Sequence, residues 1–193
     1  MDWLLASPMA PERAKQAMRA FSDELGDRRP IDPLLLAHIT GIEPPDDLLN
    51  ASRGYVVTDP ALAVWLAVGQ LSSPVAIDLN ATGPLFPQLR DVAIETWTEA
   101  ELSGLHALSL AGTGTAARVR SASDWLMAEL QPDNGTNRPW AAHVFLDRWI
   151  RERHNESRLY AETLVHNCRV TLGRPDRLSA IILASAAKAL TNA

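Results

Sequence analysis

Apolar residues recur at helical spacing through most of the second half of the chain. The strongest run is Ala142, Phe145, Leu146, Trp149 and Ile150, at i, i+3, i+4, i+7 and i+8, which predicts a helix from Pro139 to Arg153. Before it, Ala116 to Leu130 turns Val119, Ala122, Leu126 and Leu130 to one side. After it, a helix capped by Asn155 carries Tyr160, Leu164, Cys168 and Leu172 and closes at Gly173. A last helix opens at Pro175 and packs through Leu178, Ile181, Ile182, Ser185 and Ala189. Thr98-Glu99-Ala100-Glu101 reads as a capping box, starting a helix that ends at Gly112-Thr113-Gly114-Thr115. Short connections make consecutive helices antiparallel neighbours.

The first half is less regular. Pro11 to Leu25 predicts a helix with an Ala17, Phe21, Leu25 stripe, stopped by Gly26. Residues 27–59 hold Pro30, Pro33, Pro44 and Pro45. They allow a short helix after Asp32-Pro33, a long connection, and a short extended piece at 54–58. Asp59-Pro60 is a helix start, and the following Ala61 to Leu71 is apolar nearly all round, as a central helix is. Val75 to Leu79 alternates weakly, with no partner strand in sight. The expected fold is therefore all-α: a single domain over 1–193 of roughly seven to nine helices, stacked as antiparallel hairpins, with an irregular Pro-rich segment near 27–59.

Composition changes this picture little. A hydrophobic share of 47% and a charged share of 21% in 193 residues suit a soluble globular chain with a core of its own. One cysteine, Cys168, excludes an intramolecular disulfide and a multi-thiolate metal site. No apolar run approaches the roughly 18 residues of a membrane span, and Asp2 stands where a signal peptide carries a base, so a cytoplasmic protein is expected. The net charge of −5 is uneven: fifteen acidic and seven basic residues in 1–101, eight and eleven in 102–193. The later bases stand at i,i+4 from acids (Asp147 and Arg151, Arg148 and Glu152, Arg158 and Glu162), as on a solvated face. With no basic stripe interleaved with aromatics, nucleic acid is not an expected partner, and neither is a membrane.

The run Glu101 to Gly112, followed by Trp125-Leu126 and then Gln131-Pro132-Asp133-Asn134-Gly135, resembles a repeat of the α/α-toroid superfamily. That superfamily includes the squalene-hopene cyclases and the protein prenyltransferase β subunits. The resemblance covers about residues 95–150 and implies a partial toroid or open solenoid of helical hairpins. Its chemistry does not carry over. Neither Asp-x-Asp-Asp nor Asp-Asp-x-x-Asp occurs, and Asp46-Asp47 is a bare pair. His166 and Cys168 are two apart, on opposite sides of a helix. No metal or cofactor is implied.

Candidate chemistry gathers near the turn between the two tryptophan-bearing helices. Asn134, Asn137, Arg138, Trp140 and His143 offer amides, a guanidinium, an indole and an imidazole, a set suited to sugar or peptide recognition. The plainer reading is capping, with Asn134-Gly135 making the turn and Asn137 starting a helix. His106 shares a face with Leu102 and Leu110: a general base if that helix lines a cleft, a satisfied core residue otherwise. His143 precedes Asp147 by one turn, so the carboxylate could hold its tautomer. His166, with Asn167, could reach the same loop. Gly112 to Thr115 is an anion nest or a plain turn. Two functions follow. One is a non-catalytic module that binds a protein or small ligand, or assembles with itself as a homo-oligomer. The other is an enzyme acting on a carbohydrate or isoprenoid-like substrate in a cleft between helix layers. An enzyme requires histidines and a carboxylate converging on a pocket.

Overall fold

The computed structural model describes residues 10–56, 59–68, 77–132, 136–168, 170–171 and 174–191. Among them are nine α-helices: α1 (Pro11–Ala20), α2 (Asp32–Thr40), α3 (Asp46–Arg53), α4 (Pro60–Val68), α5 (Ile94–Leu110), α6 (Ala116–Glu129), α7 (Ala142–Glu152), α8 (Asn155–His166) and α9 (Arg177–Thr191). The chain is all-α. Its only described strands, β1 (Val170–Thr171) and β2 (Arg174–Pro175), form one two-residue antiparallel pair. No described helix is long and apolar enough to cross a membrane.

The helix α5 is the hub. It is buried almost all round from Trp97 to Leu108 and packs against α4, α6 and α7. The helix α4 is buried from Ala61 to Leu66, as its unbroken apolar run requires, and Asp59 caps it by accepting from Leu62 N–H at 3.2 Å. α7 and α8 form a tight hairpin whose corner, Arg153, takes a left-handed φ of 57°. α9 lies on α7 and also on α2, which brings the last described helix against an early one. An open solenoid keeps contacts to sequence neighbours, and this arrangement adds no support to the toroid resemblance.

Several boundaries differ from expectation, each for a local reason. α1 ends at Ala20, and its inward pair is Ala14 and Met18. Leu25 stands 65% exposed, because the Asp23 carboxylate gathers Leu25 N–H, Asp27 N–H and Arg29 into a competing turn. The Pro-rich segment holds two helices rather than one, since α3 follows Pro44-Pro45. Leu35 and Leu49 anchor these two in the core. Residues 54–56 are a turn, 77–79 form no strand, and 57–58 and 75–76 lie outside the described residues. α8 stops at His166 instead of running to Gly173, which with Leu172 is also outside them. Its cap is His154, whose Nδ1 accepts from Ser157 N–H, and not Asn155.

The capping box is a further correction. α5 begins at Ile94, so Thr98 is buried in mid-helix, and Glu101 serves another element. Its carboxylate accepts from Leu85 N–H (2.6 Å), Phe86 N–H (2.7 Å) and Trp97 Nε1–H (3.0 Å), while Arg118 holds the carbonyls of Gly83 and Pro84. This clamps the 83–86 loop over Gly104, where a Cβ would fall 2.5 Å from the Phe86 ring. Phe86 is buried and cannot swing away. Gly104→Ala is therefore expected to cost about 1–3 kcal/mol by overpacking, measurable as a lower urea midpoint with an unchanged slope. An unchanged midpoint would show that the loop is not held down.

Candidate functional site

Two of the five histidines meet in the core, and a third stands near them. The helix α5 carries His106, fully buried, and α7 carries His143, 5% exposed; their rings stand 4.4 Å apart, edge to face. The third, His38 on α2, is half-buried and close enough to depress the basicity of both. Trp65 and Trp140 flank His106 at 5.4 and 5.7 Å.

The hydrogen bonds fix the tautomer of His106 and bear on that of His143. Ala141 N–H donates to His106 Nδ1 at 3.2 Å, which puts the ring proton on Nε2, facing Ser185 Oγ at 2.9 Å. That amide points inward because Ala141, although not glycine, has φ 56°. Ser109 Oγ lies 2.6 Å from His143 Nε2 and donates its single proton to His106 C=O at 2.7 Å. Both contacts are hydrogen bonds only if His143 carries its proton on Nε2 and donates it to Ser109. His143 Nδ1 is then a bare acceptor, and it has no partner. Burial, with His38 nearby, pushes His143 down to about 3. Burial, with Lys188 nearby, takes His38 to about 4. Burial, with its two histidine neighbours, places His106 well below the ordinary value. All three are neutral at pH 7.

Beside His143 opens a cavity of about 430 Å³ among α5, α6, α7 and α9. Ser109, His143, Asp147 and Arg148 line it, together with the Gly112–Thr115 turn and small aliphatic side chains. Thr115 closes that turn onto Leu108 C=O and Gly112 C=O, as a connector does. The charged groups on the wall are engaged. Arg120 pairs through both terminal nitrogens with Glu152, Arg151 with Asp147 (2.6 Å), and Arg148 with Asp124 (2.6 Å) and Ser123. Arg148 Nε makes no hydrogen bond but stands 3.8 Å from Glu152 Oε2, as an ion pair.

The residues singled out from sequence fare differently. His106 and His143 come together. The expected His143–Asp147 pairing does not form, because Asp147 turns to Arg151. Arg138 is 4% exposed and tied to Asp176 and Ser179, so it belongs to the core and not to a recognition loop. Trp140 is 2% exposed and donates to Glu99 at 3.3 Å, which excludes it as an exposed aromatic plate. Asn137 is exposed but caps nothing; Thr136 Oγ1 accepts from Arg138 N–H in its place. Asn134 lies outside the described residues, and His166 is exposed in the last turn of α8. Sequence reasoning missed His38, Ser109 and Arg148. Ser109 had a signal, standing three residues after His106 on the same face of α5. No three His, Cys, Asp or Glu side chains among the described residues are grouped as a metal site. No family model, no curated protein and no solved structure matches the chain.

Proposed function

We propose that this chain is a non-catalytic helical binding module that receives a small molecule in the cavity beside His143. One observation carries the reading: a cavity of about 430 Å³, within the size range of small-ligand pockets, opens among four helices behind a wall of small aliphatic side chains. An unbiased metabolite and glycan screen by thermal shift tests this, run beside Ala117→Trp, which fills the cavity from the exposed start of α6. A ligand at about 100 times its Kd adds ~2.7 kcal/mol, roughly 5–10 °C for a chain of this size. Hits are expected in the parent and not in the variant. A library without a hit, or hits that survive the filled cavity, would end the reading.

The enzymatic alternative draws on the Ser109–His143 contact, which resembles a nucleophile beside its base. The proton inventory weighs against it. A base must take the proton of Ser109, whereas that hydroxyl donates to His106 C=O, and with a pKa near 3 His143 is a feeble proton acceptor. Product formed from any hit, and lost in Ser109→Ala, would favour the enzyme.

A further inference from the structure

We propose that the cavity holds the aliphatic tail of its ligand and recognises it by apolar contact alone, leaving the polar end in solvent at the mouth; this rests on the binding-module reading. Three observations converge. The wall is built largely from Ala116, Ala117, Val119, Val144, Ala189 and Leu190, and the buried Val144 places hydrocarbon on the floor. The polar side chains of the wall are engaged with one another or with the backbone. Thr115 Oγ1 bonds to Leu108 C=O and Gly112 C=O, and Ser109 Oγ donates to His106 C=O and stands 2.6 Å from His143 Nε2. The unpartnered His143 Nδ1 and Arg148 Nε are closed off from solvent, and so from the cavity. The charges, finally, are of both signs and paired: Arg120 with Glu152, Arg148 with Asp124, Arg151 with Asp147. Arg120, Asp147 and Glu152 are partly exposed and stand at the rim.

What such a wall offers a ligand is apolar area. Water finds few partners there, and an apolar group that displaces it gains free energy in proportion to the area covered. A charged head gains little at the rim, where neighbouring charges of opposite sign cancel and solvent screens them. The rival occupant is an anion at the first turn of α6, whose N-cap Thr115 makes no side-chain bond to that turn. The carboxylates of Asp147 and Glu152 on the same wall oppose it.

Straight-chain primary alcohols from propanol to octanol, with octanoate and octylammonium beside them, are titrated by NMR, the Ala117 and Val144 amides reporting occupancy. Affinity for the alcohols is expected to rise about three- to fourfold per methylene until the cavity is full, and then to level off. Octanol, octanoate and octylammonium are expected to bind within about threefold of one another, since the head is not read. Leu190→Asn, close in size and at a half-buried site near the end of α9, puts an amide on the wall. It is expected to weaken every alcohol by about threefold or more. Ala117→Trp, which fills the cavity, is expected to abolish the Val144 response. Three results would overturn the proposal and leave the binding-module reading in place. They are an affinity that does not change with chain length, alcohols that bind Leu190→Asn as tightly as the parent, and a spread of about tenfold among the three heads. If octanoate leads that spread, the site belongs to an anion. Silent alcohols would also overturn it if the metabolite screen still yields cavity ligands. Silence from alcohols and screen together removes both readings.

Discussion

Asp176→Ala is expected to destabilise the fold by about 3–5 kcal/mol, the largest loss we expect from one substitution. Asp176 is 2% exposed and its Oδ2 pairs with Arg138, itself 4% exposed, while its Oδ1 accepts from Ser179 N–H at 2.7 Å and caps α9. Burial pushes this carboxyl up, but Arg138 and Ser179 outweigh it and hold it below the ordinary value. Truncation leaves a guanidinium in the core without its counter-charge and uncaps a helix in the same step. Asp176→Asn keeps an oxygen for the Ser179 amide and is expected to cost about 1 kcal/mol less. Arg138→Met combined with Asp176→Asn removes both charges and is expected to recover much of the loss, since a buried pair replaced by uncharged groups is often near neutral. Urea unfolding measures all three. A loss below about 1 kcal/mol for Asp176→Ala would mean that the pair is open to water.

The second large effect is with pH. His38, His106 and His143 titrate near 6.5 in an unfolded chain, and their folded values lie at about 4, well below 6.5, and at about 3. Between pH 6.5 and 4 the unfolded state therefore binds more protons than the folded one. Stability is full above 6.5 and is lost as pH falls. Asp32 works the other way: burial lifts it to about 6, so the folded state takes up its proton first and gains stability between pH 6 and 4, and Asp59 and Glu101, also raised by burial, act in the same direction. Near pH 5 at most about two protons remain uncompensated, a slope of no more than ~2.7 kcal/mol per pH unit. Against a total of roughly 5–15 kcal/mol, acid unfolding is expected near pH 4 to 5, before most carboxylates protonate. Replacing His143 by phenylalanine should remove about one proton from that slope. A urea midpoint that stays flat from pH 7 to 5 would contradict the buried neutral cluster.

The same cluster separates what could be read along the chain from what could not. His106 was visible as a polar residue on an apolar face. Its partners were not, because His143, Ser185 and His38 lie 37, 79 and 68 residues away, and nothing local records which helix faces meet. Trp140 and Arg138 misled for a related reason. Both sit in a turn of polar residues, where exposure is the ordinary expectation, yet α5 and α9 close over them. Glu101 stands three positions after Thr98, the spacing of a local cap, whereas a loop 15 and 16 residues earlier claims its carboxylate.

Along the chain alone, periodicity was enough for the all-α class, for the central character of α4 and for the inward faces of α6 and α9, because a helix must bury a stripe that recurs every 3.6 residues. The i,i+4 ion pairs of α7 and α8 were legible on the same ground. Tertiary structure alone decided that α9 returns to α2, that two histidines touch, and that a cavity opens where four helices fail to fill the space between them. Contacts of that kind depend on the angle and depth at which helices dock, and docking is fixed by all the side chains of the core together.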